Sequence, residues 1–312
     1  MKSNAMNKHS RNLVSGFTLI ELVVTIIIAS IITVGIVTFI GRTVDGVTTA
    51  STRNKLATAG RVVIDRMALE LHNALPNSIR ATTALAGGNQ CIEYIPVLGA
   101  TTYINPAFTG SGTTTFNVID FVRNGTDYIP ASSTGLYGVI YPNRINQLYD
   151  GDNTLPWPDF PNRRPIQTIS SITDTGPTSD LSIITLTQAH RFRRRSPNER
   201  FFVVTQPVSF CVVSDKLYRY TNYGFYQSQS VTELLISDDS CPPVGGGRCL
   251  PNYNTSPDKV LIMDSINNTG LAAFTVGNQN LRRNSLVAIE LNLESGGDSI
   301  KLSHEVLTRS VP

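Results

Sequence analysis

From Phe17 to Ile40 the chain carries no Lys, Arg, Asp, His, Asn, Gln or Pro, and its single charged residue is Glu21. At about 1.5 Å per residue a helix over this stretch is roughly 36 Å long, enough to cross a hydrocarbon core of ~30 Å. Lipid offers the backbone no hydrogen-bond partners, so such a run can span only as a helix. An unpaired carboxylate inside it costs at least ~2.5–3.5 kcal/mol, which makes Glu21 a functional residue in search of a counter-ion. The flank sets the direction of insertion. Lys2, Lys8, His9 and Arg11 precede the span with no acid among them. That places the N-terminus in the cytoplasm and everything after Arg42 on the far side of the membrane.

A secretory signal peptide shares the basic start and the apolar core, but it ends in a small-x-small cleavage site. Thr38-Phe39-Ile40-Gly41-Arg42 does not supply one, and that reading leaves Glu21 unexplained. The junction itself is more specific. Gly16-Phe17-Thr18-Leu19-Ile20-Glu21-Leu22-Val23-Val24, after a short basic leader, resembles the class III signal of type IV prepilins and type II secretion pseudopilins. Met6 is an alternative start that shortens the leader further. The resemblance implies cleavage between Gly16 and Phe17 by prepilin peptidase, methylation of the new Phe17 amine, and retention of the span. It also implies that Glu21 neutralises the α-amine of an adjacent subunit, since two opposite charges buried together are far less costly than either alone. Major pilins commonly carry a proline near the position of Thr38, and its absence here favours a minor subunit.

The division that follows is a leader at 1–16, a transmembrane helix at 17–40, an amphipathic periplasmic helix at 41–78 and a β-rich periplasmic head at 79–312. Partners implied by the resemblance are prepilin peptidase, other minor pilins, the major pilin, the inner-membrane assembly platform and membrane lipid. After assembly the subunit would lie in a surface filament of a Gram-negative bacterium. No cofactor and no metal are implied.

Composition agrees with this outline. A net charge of +3 over 312 residues gives no reason to invoke nucleic acid. All four cysteines, Cys91, Cys211, Cys241 and Cys249, lie beyond the span, where disulfides are permitted. Three connectivities exist. Cys241-Pro-Pro-Val-Gly-Gly-Gly-Arg-Cys249 reads as a loop closed by its own bridge, which leaves Cys91 with Cys211. Zinc is the other use of four cysteines, but no C-x₂₋₄-C pair is present.

Leu56, Ala59, Val63, Met67, Leu71 and Leu75 recur at spacings of three and four and predict one apolar stripe on a helix. Thr48–Thr52 predicts a weaker stretch within it. Pro76 predicts an end near Ala74–Leu75. Beyond Ile79 the pattern changes to β-branched runs separated by Gly, Pro, Asn and Ser. Strands are predicted at 91–96, 116–122, 136–141, 181–187, 201–213, 217–220, 260–263, 272–276, 286–293 and 300–307. Val213-Ser-Asp-Lys-Leu217 predicts a hairpin turn. The fold class is α+β and pilin-like, with a long N-terminal helix laid on an antiparallel sheet.

Three later passages extend the resemblance. Asp65-Arg-Met-Ala-Leu-Glu-Leu with Ala74-Leu-Pro-Asn-Ser-Ile-Arg80 is similar to the helix end of PilW- and GspJ-like minor subunits. Ser196-Pro-Asn-Glu-Arg-Phe-Phe-Val-Val and Pro207-Val-Ser-Phe-Cys-Val look like their central hairpin. His304-Glu-Val-Leu-Thr-Arg-Ser-Val-Pro312 is similar to the last strand of minor pilins of MSHA-type pili.

Other constellations are weaker. Arg191, Arg193, Arg194 and Arg195 form the densest basic cluster, and with Trp157 they make a candidate ligand patch. DNA uptake is one reading of those arginines, since guanidinium groups contact phosphate and interleaved aromatics stack; glycan binding at a pilus tip is another. A solvated loop is the bland alternative. Asp150-Gly-Asp-Asn153 lacks the spacing of an EF-hand and reads as an Asx-rich turn. His72, His190 and His304 show no ligand spacing, and no catalytic set is found, so the chain reads as a non-enzyme. A secretion pseudopilin of the GspJ type and a tip adhesin or DNA-binding subunit are the rival functions.

Overall fold

The computed structural model describes residues 16–84, 88–132, 135–143, 145–149, 164–176, 179–225, 258–277 and 285–308. A 54-residue helix, α1, covers Leu19–His72. Next come β1 (Arg80–Ala81), β2 (Gln90–Tyr94), β3 (Val97–Ile104), β4 (Thr113–Ile119), β5 (Val122–Arg123), β6 (Thr126–Asp127) and β7 (Leu136–Ile140). A short α2 (Ile145–Leu148) precedes β8 (Ile166–Asp174), β9 (Leu181–His190), β10 (Arg200–Val204), β11 (Val208–Val213) and β12 (Lys216–Tyr220). The chain closes with β13 (Lys259–Met263), β14 (Phe274–Val276), β15 (Ser285–Ser295) and β16 (Asp298–Thr308). Two compact units divide between Thr52 and Arg53.

The first unit holds the apolar half of α1, which is long and apolar enough to cross a membrane, and its residues from 16 to 51 are all exposed. Its hydroxyls do not disturb the helix. Thr25, Ser30, Thr33, Thr38 and Thr43 each donate to the carbonyl three or four residues back, at 2.7–2.9 Å. A hydroxyl bonded this way presents little unsatisfied polarity to lipid. Thr48 does the same to Asp45 at 2.8 Å, and α1 runs through Thr48–Thr52 without the weakening predicted there.

In the second unit the buried residues of α1 are Leu56, Gly60, Val63, Ile64, Met67, Ala68 and Leu71. The face is therefore wider than a single stripe, as a helix set in a globular core requires. Ala59 is exposed, contrary to the predicted stripe, and Gly60 takes the inward place. A Cβ on Gly60 would run into Leu293 and Leu302, so the glycine lets the helix lie against β15 and β16. Regular helix ends at His72, ahead of the predicted Ala74–Leu75. Asn73 and Ala74 tighten onto Glu70 and Leu71 through i→i−3 bonds, and Leu75 N–H then turns to the Ile95 carbonyl at 2.8 Å.

Among the described residues the head holds three main antiparallel assemblies and a small β5-β6 ribbon, where the sequence predicted one sheet. Strands β1-β2-β11-β12-β13 form one sheet and β14-β15-β16 a second. Both contribute to the core around α1, with Ile92, Phe210, Val212 and Leu217 from the first and Phe274, Ile289, Leu291 and Val306 from the second. Gln90 joins them, donating to the Thr82 and Phe274 carbonyls at 2.8 and 2.7 Å and accepting from Phe274 N–H at 2.9 Å. The third assembly is a closed barrel, β10-β3-β4-β9-β8-β7. It has its own core, in which Phe116 meets Phe192 and Phe201 edge-on at 5.8 and 5.3 Å. Gly138 on β7 makes room for Phe201, whose ring atom Cζ would sit 2.7 Å from an added Cβ.

The topology of this barrel is informative. Strands β2 and β11 are direct neighbours in the first sheet, pairing Cys91 with Cys211 in register. All six barrel strands lie between them in sequence. The barrel is an insertion between two adjacent strands of the helix-packed sheet. The strand predicted at 201–213 is correspondingly two strands, β10 in the barrel and β11 in the sheet, parted at Pro207, which has no N–H for a ladder. Strands β3 and β8 were not predicted at all. Their sequences, Val-Leu-Gly-Ala-Thr-Thr-Tyr-Ile and Ile-Gln-Thr-Ile-Ser-Ser-Ile-Thr-Asp, are rich in small and polar residues because one side of each faces solvent.

Candidate functional site

The residues at the predicted processing junction stand at the start of α1. Nothing in the fold asks for glycine at position 16: an added Cβ there meets nothing, and its φ is not positive. Phe17 is 68% exposed. Thr18 begins the helix. Its carbonyl accepts the first turn bond from Leu22 N–H at 3.3 Å, and its hydroxyl accepts from Glu21 N–H at 3.4 Å.

That arrangement is half of a capping box, the Thr-x-x-Glu pattern in which the first residue caps the third helical N–H. Sequence reasoning passed over it, although the spacing was legible. Glu21 consequently has two roles open to it. Its backbone belongs to the cap, and its carboxylate favours the positive end of the helix dipole. Neither role gives the charge a counter-ion. Among the described residues no ion pair or hydrogen bond involves the Glu21 carboxylate, and the side chain is exposed. The acid in the first turn of this apolar helix is thus left without a cation among the described residues.

The head contrasts with this economy of contacts. Cys91 and Cys211 form a disulfide across β2 and β11, between residues 120 positions apart. Beside it, Glu93 is fully buried and paired with Arg80 at 2.5 Å. Tyr223 donates to the second Glu93 oxygen at 2.8 Å and lies 2.6 Å from the Ser209 hydroxyl. Arg80 also stacks over the Tyr149 ring at 3.7 Å, and the Tyr149 hydroxyl donates to the Ser78 carbonyl at 2.6 Å. One residue further along β2, the Tyr94 hydroxyl bonds to Glu70 of α1. Glu70 also takes Arg66 at 3.2 Å and Arg219 of β12 at 2.9 Å. Burial pushes the Glu93 carboxyl up, with Arg80 and Tyr223 pulling it back. Burial likewise holds the Tyr149 and Tyr223 hydroxyls well above their usual range.

This network ties the end of α1 to the sheet and reads as structural, because its groups are spent on one another. Sequence reasoning missed it. Glu93 in the otherwise apolar Cys91-Ile-Glu-Tyr-Ile95 was the available signal.

The basic cluster falls on the connection from β9 to β10. Phe192 is fully buried in the barrel core. Arg191 donates to the Gly110 carbonyl at 3.2 Å, and Arg195 lies over the Phe108 ring at 4.9 Å. Arg193 is engaged as well. The cluster thus folds back on the neighbouring loop instead of presenting a row of free guanidinium groups, which removes much of the support for phosphate binding. His190, at the end of β9, is buried with Nε2 3.0 Å from the Arg164 carbonyl, and burial lowers its pKa to about 4. Trp157, Cys241, Cys249 and the Asp150–Asn153 turn lie outside the described residues. Among the described residues no cluster of His, Cys, Asp or Glu could hold a metal.

Residues 11–37 match the model of the prokaryotic N-terminal methylation motif. No curated protein and no solved structure matches the chain. The motif, the exposed apolar helix and the antiparallel head together support a type IV pilin-like protein, anchored in a membrane, processed by prepilin peptidase and assembled with other pilins. The same motif suggests a structural, non-enzymatic role.

Proposed function

We propose that this chain is a minor pilin of an MSHA-type pilus, most like MshO, and that it acts in the initiating or tip complex of the filament. Prepilin peptidase cuts after Gly16 at the cytoplasmic face, Phe17 is methylated, and residues 17–40 stay in the inner membrane with the head in the periplasm. The observation that supports this reading is Glu21: an acid in the first turn of an apolar helix, capped by Thr18 and answered by no cation among the described residues. During assembly the carboxylate takes the amine of a neighbouring subunit, which sets the axial register of one helix against the next. Residues 41–78 form the amphipathic periplasmic helix, and residues 79–312 supply the lateral contacts that prime or cap the filament. The lack of a proline near Thr38 supports a minor rather than a repeating subunit.

The test is the N-terminus of the protein extracted from membranes of cells with and without the peptidase. The expected species starts at N-methyl-Phe17 in the first case and retains the leader in the second. A chain beginning downstream of Ile40 would overturn the proposal. Deletion of the gene then separates the two filament systems, since a pilus subunit reduces surface pili and a GspJ-like pseudopilin reduces secretion instead.

A further inference from the structure

We infer that the inserted barrel carries a binding pocket for a neutral sugar ring, formed where the β3–β4 connection meets the β9–β10 connection. The pocket encloses about 280 Å³ and is lined by Tyr103, Asn105, Phe108, Arg195 and Glu199, among others. That volume is close to a single pyranose with a few waters, below the range of drug-sized clefts. Its apolar wall is an aromatic pair, Tyr103 and Phe108, with ring centroids 5.7 Å apart and tilted by 54°. The Tyr103 hydroxyl is already occupied, accepting from Ser196 N–H at 3.0 Å, so the ring is fixed and offers its body.

The charges decide the ligand class. Arg195 is held in place over Phe108, a cation–π contact that leaves its N–H groups available. Glu199 is held by its backbone, donating to the Ser196 carbonyl at 3.2 Å and accepting from Tyr103 N–H at 2.8 Å. Yet neither the guanidinium nor the Glu199 carboxylate makes an ion pair or hydrogen bond to any described residue. A pocket with one cation and one anion at its exposed rim, not spent on each other, is net neutral. A free ion of either sign is drawn by one of the two and repelled by the other, so the pocket selects neither sign. A polyhydroxylated ring suits it, because each hydroxyl both donates and accepts and the C–H face of the ring covers aromatic carbon. Asn105 adds an amide at the rim.

Two backbone features agree. Asn105 and Glu199 both take the left-handed conformation, with φ of 56° and 53°. Glutamate tolerates that region poorly, and such strain persists where surrounding structure imposes it. The topology supports display as well. The pocket belongs to a module inserted between β2 and β11, whose neck is closed by the Cys91–Cys211 disulfide, so the helix-packed sheet is complete without it. The inference does not depend on which filament the chain serves.

The experiment uses the full chain in a detergent without sugar headgroups. Saturation-transfer NMR is recorded with the methyl glycosides of glucose, galactose and N-acetylglucosamine, with acetate and inorganic phosphate as anion probes, and with a single-stranded oligonucleotide. At least one glycoside is expected to show transfer that Glu199→Gln and Phe108→Ala each weaken about tenfold or more. Arg194→Ala, on the same loop but not in the pocket lining, should leave it unchanged. The Glu199→Gln chain should unfold at the same temperature as the parent, which separates lost binding from lost folding. Transfer to none of the glycosides overturns the inference. So does binding of phosphate or the oligonucleotide that Glu199→Gln strengthens, since that identifies an anion site.

Discussion

Two carboxylates in apolar surroundings, Glu21 and Glu93, are answered in opposite ways. Glu93 sits on β2 at no exposure, with Arg80 at 2.5 Å and the Tyr223 hydroxyl at 2.8 Å. Every partner it needs is in the same chain, and the result is a rigid joint between strands. Glu21 sits in the first turn of α1 with only its backbone engaged, by Thr18. A buried charge left unpaired costs several kcal/mol, which is why the proposed function assigns the Glu21 carboxylate to the amine of a neighbouring subunit. Among the described residues Glu93 is fully partnered within the head, whereas the Glu21 carboxylate is partnered by none.

The largest expected effect comes from breaking the incomplete half. Glu21→Gln keeps the backbone of the cap and removes only the charge, so helix content should be unchanged while assembly fails. Leaving a neighbour's amine unpaired in the filament core costs about 3–5 kcal/mol. Surface filaments counted by electron microscopy should accordingly fall by two orders of magnitude or more, on the order of the factor such an energy implies. Glu21→Ala should do no worse, because the cap hydroxyl belongs to Thr18. A Glu21→Gln strain with normal filaments would mean that the acid serves the cap alone.

Breaking the complete half should act on stability and not on insertion. Arg80→Ala strands Glu93 without its counter-charge and should cost about 3–5 kcal/mol in chemical denaturation of the head. Next comes the disulfide. Replacing Cys91 and Cys211 together with alanine should cost about 2–4 kcal/mol, read from the same denaturation curves in the absence of reductant. The barrel core, with its own aromatic cluster, should keep its near-ultraviolet circular dichroism in that double variant.

A smaller effect is set by pH. His190 is buried, and its pKa is lowered to about 4, so the folded chain resists the proton that the unfolded chain accepts. The stability it contributes is present in full above the unfolded value of about 6.5 and is lost as pH falls through the folded value. The loss should approach about 3 kcal/mol by pH 4, and His190→Gln should flatten that part of the profile. Acid raises no such cost at Glu93, whose pKa is shifted upward. Its contribution runs the other way and is lost as pH rises through the folded value.

The sequence disclosed most where chemistry and periodicity coincide. The apolar run, the hairpin at Ser214–Asp215 and the strand β12 could be read, because each carries a local signal, whereas β10 and β11 were read as one strand because both are apolar. The barrel could not. Its strands β3 and β8 are built from threonine, serine and small residues, and closure depends on β10 pairing with both β3 and β7, a fact no local pattern encodes. The inward turn of Gly60 instead of Ala59 was hidden for a similar reason: it depends on where β15 and β16 lie. Glu93 and Arg80 were passed over because a charge in a strand ordinarily faces water, and only the register β1–β2 brings them together.

The pairing of Glu21 with another chain's amine can be tested directly by zero-length coupling. Native filaments treated with a membrane-permeant carbodiimide, digested and analysed by mass spectrometry, should yield an amide joining Glu21 to the N-terminal residue of a different polypeptide. Recovery of Glu21 as its unlinked acylurea, or joined only within its own chain, would show that the reagent reached the acid and found no neighbouring amine, and the account would be contradicted.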